Sequence, residues 1–341
     1  MRSPHERSTL LVPACLLALA CSPGRPSDQE RLQVMVEQLR EQDNLPGISV
    51  AIAEGRSRPV LATAGFADLG EAVPVEPDTP FFIGSISKNL FATVALMLVD
   101  EGRLDLDGPL SAWVDWPRGD EVTFRMLMNH TSGIPEYLTK DRFESHDGGV
   151  PEFFTRPRSP SEILAMLPSQ APEFEPGSRQ KYSNTNGLLV GQVIEKATGK
   201  PLGAVLEQRI VAPLGLKHMY LYGTTTAGRF RAHGYSARAY WRARGGELVD
   251  CSYADDALPD SADGSVVASA SDLLRYHRAL RGGELLSDAS WKAMCTVEPG
   301  LHHGSATSWE RDRSVPTPAT PADRWATSVP TSTTPTTTPI W

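Results

Sequence analysis

Leu32, Met35, Val36 and Leu39 recur at three- and four-residue spacing directly after Ser27-Asp28-Gln29-Glu30, a capping box. The pattern predicts an amphipathic helix that opens the folded body. Two short apolar segments, 48–53 and 60–66, are separated by a turn around Gly55 and predict an antiparallel hairpin. Residues 85–101 form a strongly apolar helix stopped by Gly102. Further helices are predicted over 162–167, 188–197 with Gly199 as its stop, 202–210, 272–280 and 289–295. A hairpin followed by a long helical, loop-rich region implies an α+β fold, with a helical portion inserted after the first strands.

The two ends follow different rules. Arg2 and Arg7 precede the apolar stretch 10–20, a charged n-region and an h-region too short to span a bilayer. It reads as a signal peptide over 1–21. Ala18-Leu19-Ala20-Cys21 resembles a bacterial lipobox, which makes Cys21 the expected lipidation site and 22–27 a flexible linker. The expected location is therefore the periplasm or cell envelope, anchored by lipid. Outside the reducing cytoplasm Cys251 and Cys295 would be permitted, not required, to pair. At the other end, Thr, Pro and Ser supply 21 of the 37 residues from Ser305 to Trp341. Such a stretch cannot bury enough apolar surface to offset its chain entropy, so 301–341 is expected to be disordered. The folded domain is placed at 28–300.

Composition narrows the function. The 341-residue chain has 40% hydrophobic and 22% charged residues, ordinary for a globular protein, and a formal charge of −8. That balance, with no basic run, argues against nucleic-acid binding. Four Cys, two within the first 21 residues, exclude a disulfide scaffold or a zinc ribbon. The His residues are scattered, and His302-His303 has no carboxylate or Cys partner at ligand spacing, so neither metal nor organic cofactor is expected.

Ser85-Ile86-Ser87-Lys88 is the first chemical signal. A spacing of three places both side chains on one helix face, so the amine can reach the hydroxyl. Serine is a poor nucleophile until a neighbouring base takes its proton, and a desolvated lysine can serve. The helix N-terminus adds N–H groups that favour developing negative charge. Tyr182-Ser183-Asn184 follows just before the helix at 188. Its phenol can shuttle protons and its amide can hold a substrate carbonyl.

In this order the chain resembles the serine β-lactamase/penicillin-binding-protein family, specifically the class C β-lactamase-related serine hydrolases; Ser-x-x-K is a signature of such enzymes. The resemblance runs from Leu45-Pro46-Gly47 to Cys295. It rests on Phe82-Ile83-Gly84-Ser85-Ile86-Ser87-Lys88, on Leu127-Met128-Asn129-His130-Thr131-Ser132-Gly133-Ile134-Pro135, on Pro176-Gly177, on Tyr182-Ser183-Asn184-Thr185-Asn186-Gly187, on Pro213-Leu214-Gly215-Leu216 and on Ala268-Ser269-Ala270-Ser271-Asp272-Leu273. It implies an antiparallel sheet flanked by helices, plus a mostly helical subdomain. It implies Ser85 as acylated nucleophile, Lys88 as its basic partner, Tyr182 as second proton shuttle and Asn184 as a substrate-amide ligand. The Ser85 N–H would be one oxyanion donor. Lys88 and Tyr182 share one proton inventory, and either could accept first. His130 looks like a triad histidine, but the resemblance makes its stretch mainly architectural.

The pattern departs from the family at two places. The third motif has one candidate, His302-His303-Gly304, with no apolar strand around it, so His302 and Gly304 are weak site residues. Asp263-Gly264-Ser265 stands where small-Gly-Gly is usual. A switch to Pro/Thr-rich sequence near Val297 suggests a truncated or frame-shifted end, with C-terminal strands missing. The expected function is an exported, monomeric serine hydrolase. It would form an acyl-enzyme with small-molecule, peptide or ester substrates and meet the membrane only through its lipid. D-Ala-D-Ala carboxypeptidase-, β-lactamase- and esterase-like activities stay open. The rival reading is a catalytically inactive member, acting as a binding protein or a non-functional product.

Overall fold

Ser27 starts the first helix as its spacing demands. Its Oγ accepts from the Glu30 N–H at 3.2 Å, and the Glu30 carboxylate accepts from the Ser27 N–H at 2.7 Å. The computed structural model describes residues 27–143, 150–167, 171–223, 225–226, 229–236 and 248–296. The signal segment with Cys21, the third-motif candidate and the Thr/Pro-rich tail lie outside these residues.

In chain order, α1 (Asp28–Gln42) leads to β1 (Gly47–Ile52), β2 (Val60–Asp68), β3 (Val73–Pro74) and β4 (Phe81–Phe82). A 3-10 turn, Gly84–Ile86, opens into α2 (Ser87–Asp100). The helical portion holds α3 (Phe124–Met128), α4 (Pro160–Ala165), α5 (Asn184–Thr198), α6 (Leu202–Leu206) and α7 (Ala212–Leu214), with a π turn at Glu207–Val211. There follow β5 (Tyr220–Leu221), β6 (Tyr235–Ser236), β7 (Val249–Asp250), α8 (Tyr253–Asp256), β8 (Val266–Ala268), α9 (Ala270–Arg281) and α10 (Asp288–Cys295).

The strands are antiparallel. β1 pairs with β2 from Gly47↔Gly65 to Ile52↔Val60, and β3 extends the far side of β2 past a register shift. β8 runs between β4 and β5, with Val267 opposite both Phe82 and Tyr220. β6 pairs with β7. The mixed helix and sheet architecture matches the α+β expectation.

The core explains why α2 sits at the centre. Leu90, Phe91, Val94, Ala95, Leu96 and Leu98 are all fully buried, around the whole circumference of the helix. A helix apolar on every side has to be enclosed by other elements. Here α5, α6 and α10 pack against it. Its few polar residues are matched: the Tyr276 hydroxyl from α9 lies 2.7 Å from Thr93 Oγ1 and donates to Asn89 Oδ1 at 2.7 Å. α1 makes a smaller contact, laying Leu32 and Val36 on Ala62 of β2.

Two element boundaries depart most from the periodicity. α5 begins at Asn184, four residues before the apolar pattern, because Asn184, Thr185 and Asn186 spend their side chains on tertiary hydrogen bonds and so carry no hydrophobic signal. The helix expected over 202–210 loosens into the π turn after Leu206. Cys251 and Cys295 are not joined in a disulfide. Among the described residues no helix is long and apolar enough to cross a membrane.

Candidate active site

The nucleophile candidate stands where strand becomes helix. Ile83 continues the β4–β8 pairing by donating its N–H to the Val266 carbonyl at 3.0 Å. Gly84 then takes φ +51°, a left-handed conformation that glycine adopts without a Cβ clash, and the chain turns into the 3-10 segment. Ser87 pins the turn from beneath, its Oγ accepting from the Val266 N–H at 3.0 Å. Ser85 is thereby presented at the start of α2, with Lys88 one turn on.

Four predicted residues meet here. Ser85 Oγ lies 2.7 Å from the Tyr182 hydroxyl and accepts from Lys88 Nζ at 3.2 Å. Lys88 Nζ also donates to Asn184 Oδ1 at 2.8 Å and to the Asp263 main-chain carbonyl. Three acceptors thus surround Nζ. The Tyr182 ring lies 5.1 Å from Nζ, a cation–π contact, and the residue is 43% exposed. Tyr182 thus lies at the surface, with Ser85 and Lys88 half-buried beside it.

The segment 130–138 holds Tyr182 and Asn184 in place. The Pro135 carbonyl accepts from Ser183 Oγ at 3.2 Å and from Thr185 Oγ1 at 2.6 Å, and Thr185 Oγ1 accepts from the Tyr137 N–H at 3.0 Å. His130 stacks on Tyr182 with ring centroids 4.5 Å apart. Its Nδ1 faces the Ser183 N–H at 3.4 Å and Asn186 Nδ2 at 3.2 Å, which makes it an acceptor rather than a base aimed at Ser85. Buried Ser132 donates to Asn186 Oδ1 at 2.7 Å. Both side chains are thus engaged with the start of α5 and the Tyr182 ring.

Two carboxylates behind Lys88 were missed by sequence reasoning. Glu136 Oε2 accepts from the Asn184 main-chain N–H at 2.7 Å and from Asn184 Nδ2 at 3.1 Å. Burial pushes its pKa up, against the hydrogen bonds from Asn184 and Leu138 and the nearby Lys88. Asp263, 5% exposed, accepts from the Tyr137 hydroxyl at 2.6 Å and from Ser261 Oγ. Burial, then the Asp263 charge, raises the Tyr137 phenol well above its ordinary value, so this phenol stays neutral and donates. The available signal was the acidic side chain of Glu136 just after the Ser-Gly-Ile-Pro stretch, and Asp263 in place of a small residue.

The arrangement suits nucleophilic acyl transfer: a hydroxyl held between an amine and a phenol, with counter-charges behind. Among the described residues no group of three or more His, Cys, Asp or Glu side chains is set to hold a metal ion.

Comparison with known proteins points the same way. The family described as Beta-lactamase matches residues 32–336. The chain is 27% identical to a β-lactamase of Providencia stuartii over 69% of this chain and 58% of that one. It is 32% identical to esterase EstB of Burkholderia gladioli over 55% of this chain and 50% of that one. The solved D-amino acid amidase of Ochrobactrum anthropi SV3 superposes with a TM-score of 0.68 at 26% identity, covering 82% of this chain and 80% of that one. The matched region spans less than two thirds of the length of these curated relatives.

Proposed function

The chain belongs to the β-lactamase family, a family of serine hydrolases, and from that premise we propose that it is an exported hydrolase that acylates Ser85 with amide or ester substrates. One observation carries the reading: Ser85 Oγ sits 2.7 Å from the Tyr182 hydroxyl and 3.2 Å from Lys88 Nζ, at the head of a buried helix. The Ser85 O–H bond breaks as Oγ bonds to the substrate carbonyl carbon, and the proton passes to the Lys88–Tyr182 pair. The pair returns that proton to the leaving amine or alkoxide as the acyl–leaving-group bond breaks. Water then attacks the ester carbonyl and gives a proton to the same pair, which passes it to Ser85 Oγ as the ester bond breaks, freeing the acid and restoring the serine hydroxyl. Asn184 has one amide hydrogen on Glu136 and offers its second to a substrate carbonyl.

Amide and ester relatives alike support this substrate class, since the amidase and the esterase are both similar to the chain. The second oxyanion donor would have to come from the region of His302 and Gly304. The sequence of that region carries no apolar strand run, and a site without a second donor loses about 10²–10³ in rate. Activated acyl donors are therefore the best substrates, and D-Ala-D-Ala peptides turn over poorly. The test is labelling by a fluorescent β-lactam or a fluorophosphonate. Slow, covalent labelling that disappears in Ser85→Ala supports the enzyme; no labelling of folded protein supports an inactive binding protein; rapid D-Ala-D-Ala hydrolysis contradicts the missing donor. Lipid anchoring at Cys21 is read from the mature N-terminus by mass spectrometry, and an unmodified Ser22 or a retained Met1 refutes it.

A further inference from the structure

The Glu136 carboxylate takes no part in the acyl transfer above, yet it fixes the residue that faces Lys88. Its Oε1 accepts from the Leu138 N–H at 2.7 Å, and its Oε2 accepts from the Asn184 N–H at 2.7 Å and from Asn184 Nδ2 at 3.1 Å. Three donors converge on the group, and an ionised carboxylate only accepts. That fixes which end of the Asn184 amide faces it. The other end, Oδ1, accepts from Lys88 Nζ at 2.8 Å. Amine, amide and carboxylate thus form a continuous hydrogen-bonded chain in a partly buried site, where such bonds strengthen one another.

The other groups around Lys88 are the Ser85 hydroxyl, the Tyr182 ring with His130 stacked on it, and the Asp263 carbonyl. The Asp263 carboxylate completes the set, held by the hydroxyls of Tyr137 and Ser261. Of the two carboxylates, Glu136 alone is joined to the amine through the side chain of Asn184, which the acyl-transfer reading sets beside the substrate.

We propose that Glu136 is a positioning residue acting through Asn184: it sets the orientation of that amide and places its negative charge behind Lys88. The proposal builds on the serine acyl-transfer reading of the same site. Removing an anion lowers the pKa of a neighbouring ammonium, whichever proton-transfer step the amine performs.

The test uses Glu136→Gln, which keeps the shape and removes the charge, and Glu136→Asp, which keeps the charge and shortens the reach. Lys88 titration is followed by NMR of its Cε resonance in the full chain, assigned with Lys88→Arg, beside the pH profile of Ser85 acylation by p-nitrophenyl acetate. In Glu136→Gln the Lys88 titration, and the limb of the profile that follows it, move toward acid by about one pH unit. In Glu136→Asp they move less. An unmoved or alkaline-shifted Lys88 titration in Glu136→Gln overturns the proposal. If that variant does not fold, the wild-type Lys88 resonance must show a second inflection as Glu136 protonates, and a single inflection overturns it instead. Loss of Ser85 labelling in folded wild-type protein defeats the acyl-transfer reading alone, because the Lys88 titration is read without activity.

Discussion

A single methyl group at Gly187 tests whether Lys88 depends on the segment that carries Asp263. Gly187 lies in the first turn of α5, and a Cβ there would fall 2.6 Å from Asp263 Cβ, 2.8 Å from its Cα and 3.3 Å from its nitrogen. Carbon atoms in contact prefer about 3.5–4.0 Å, so Gly187→Ala displaces the Asp263 segment by about 1 Å. The displaced residue gives Lys88 its main-chain carbonyl and takes the Tyr137 hydroxyl at 2.6 Å. A misplacement of about 1 Å costs about 10²-fold in catalysis. Stability changes less: overpacking costs about 1–3 kcal/mol, and the better helix propensity of alanine returns about 1 kcal/mol. The expected signature is acylation down about 100-fold, with a fall in melting temperature of only a few degrees. Both are read on one preparation, as the second-order rate constant for fluorophosphonate labelling and a thermal melt. Gly203→Ala is the control, because its Cβ would meet Leu221 Cβ at an ordinary 3.7 Å. Wild-type labelling by Gly187→Ala would refute the dependence of Lys88 on the Asp263 carbonyl.

Tyr182→Phe removes the hydroxyl 2.7 Å from Ser85 but keeps the ring on His130, so acylation should fall about 10²-fold with the melting temperature unchanged; an unchanged labelling rate would exclude the phenol from proton transfer. Tyr276→Phe strips the buried hydroxyl that meets Thr93 and Asn89 and should cost about 1–3 kcal/mol in urea denaturation, with an unshifted midpoint counting against the lock between α2 and α9. Burial raises the Asp255 carboxyl to about 7, above an unfolded value near 3.9, so the folded chain binds the extra proton and stability falls as pH rises from about 4 through 7. Asp255→Asn should accordingly match wild type near pH 4 and melt higher at pH 8, by as much as about 4 kcal/mol in stability; equal melts at both pH values would refute the sign.

What was legible in the chain is what short-range geometry determines. Ser85 and Lys88 share one turn, so their contact follows from a spacing of three whatever surrounds them. The hairpin could be read because its two apolar runs flank Gly55, and α1 because Ser27 and Glu30 cap one another locally. The start of α5 could not be read from periodicity, since the residues that begin it face polar partners instead of the core. Tyr182 and Asn184 came from order along the chain and from family resemblance, because no local rule brings a loop residue to a serine 97 positions away.

Glu136 and Asp263 mark where such reading ends. Each follows residues that carried the resemblance or departed from it, yet an acidic side chain on a loop reads by default as a solvated charge. What makes Glu136 different is supplied by distant residues: the Asn184 N–H and amide, 48 positions on, convert a surface charge into a half-buried acceptor. Asp263 gains its place because Gly187 has no side chain and because Tyr137, 126 positions back, donates to it. A buried carboxylate is costly unless it is paired, so these two persist only as parts of a set that includes Lys88. The nucleophile pair is a property of one helix turn; the charge balance around it belongs to three chain segments at once. Changes at Glu136, Asp263 or Gly187 should therefore alter the chemistry of Ser85 without touching it.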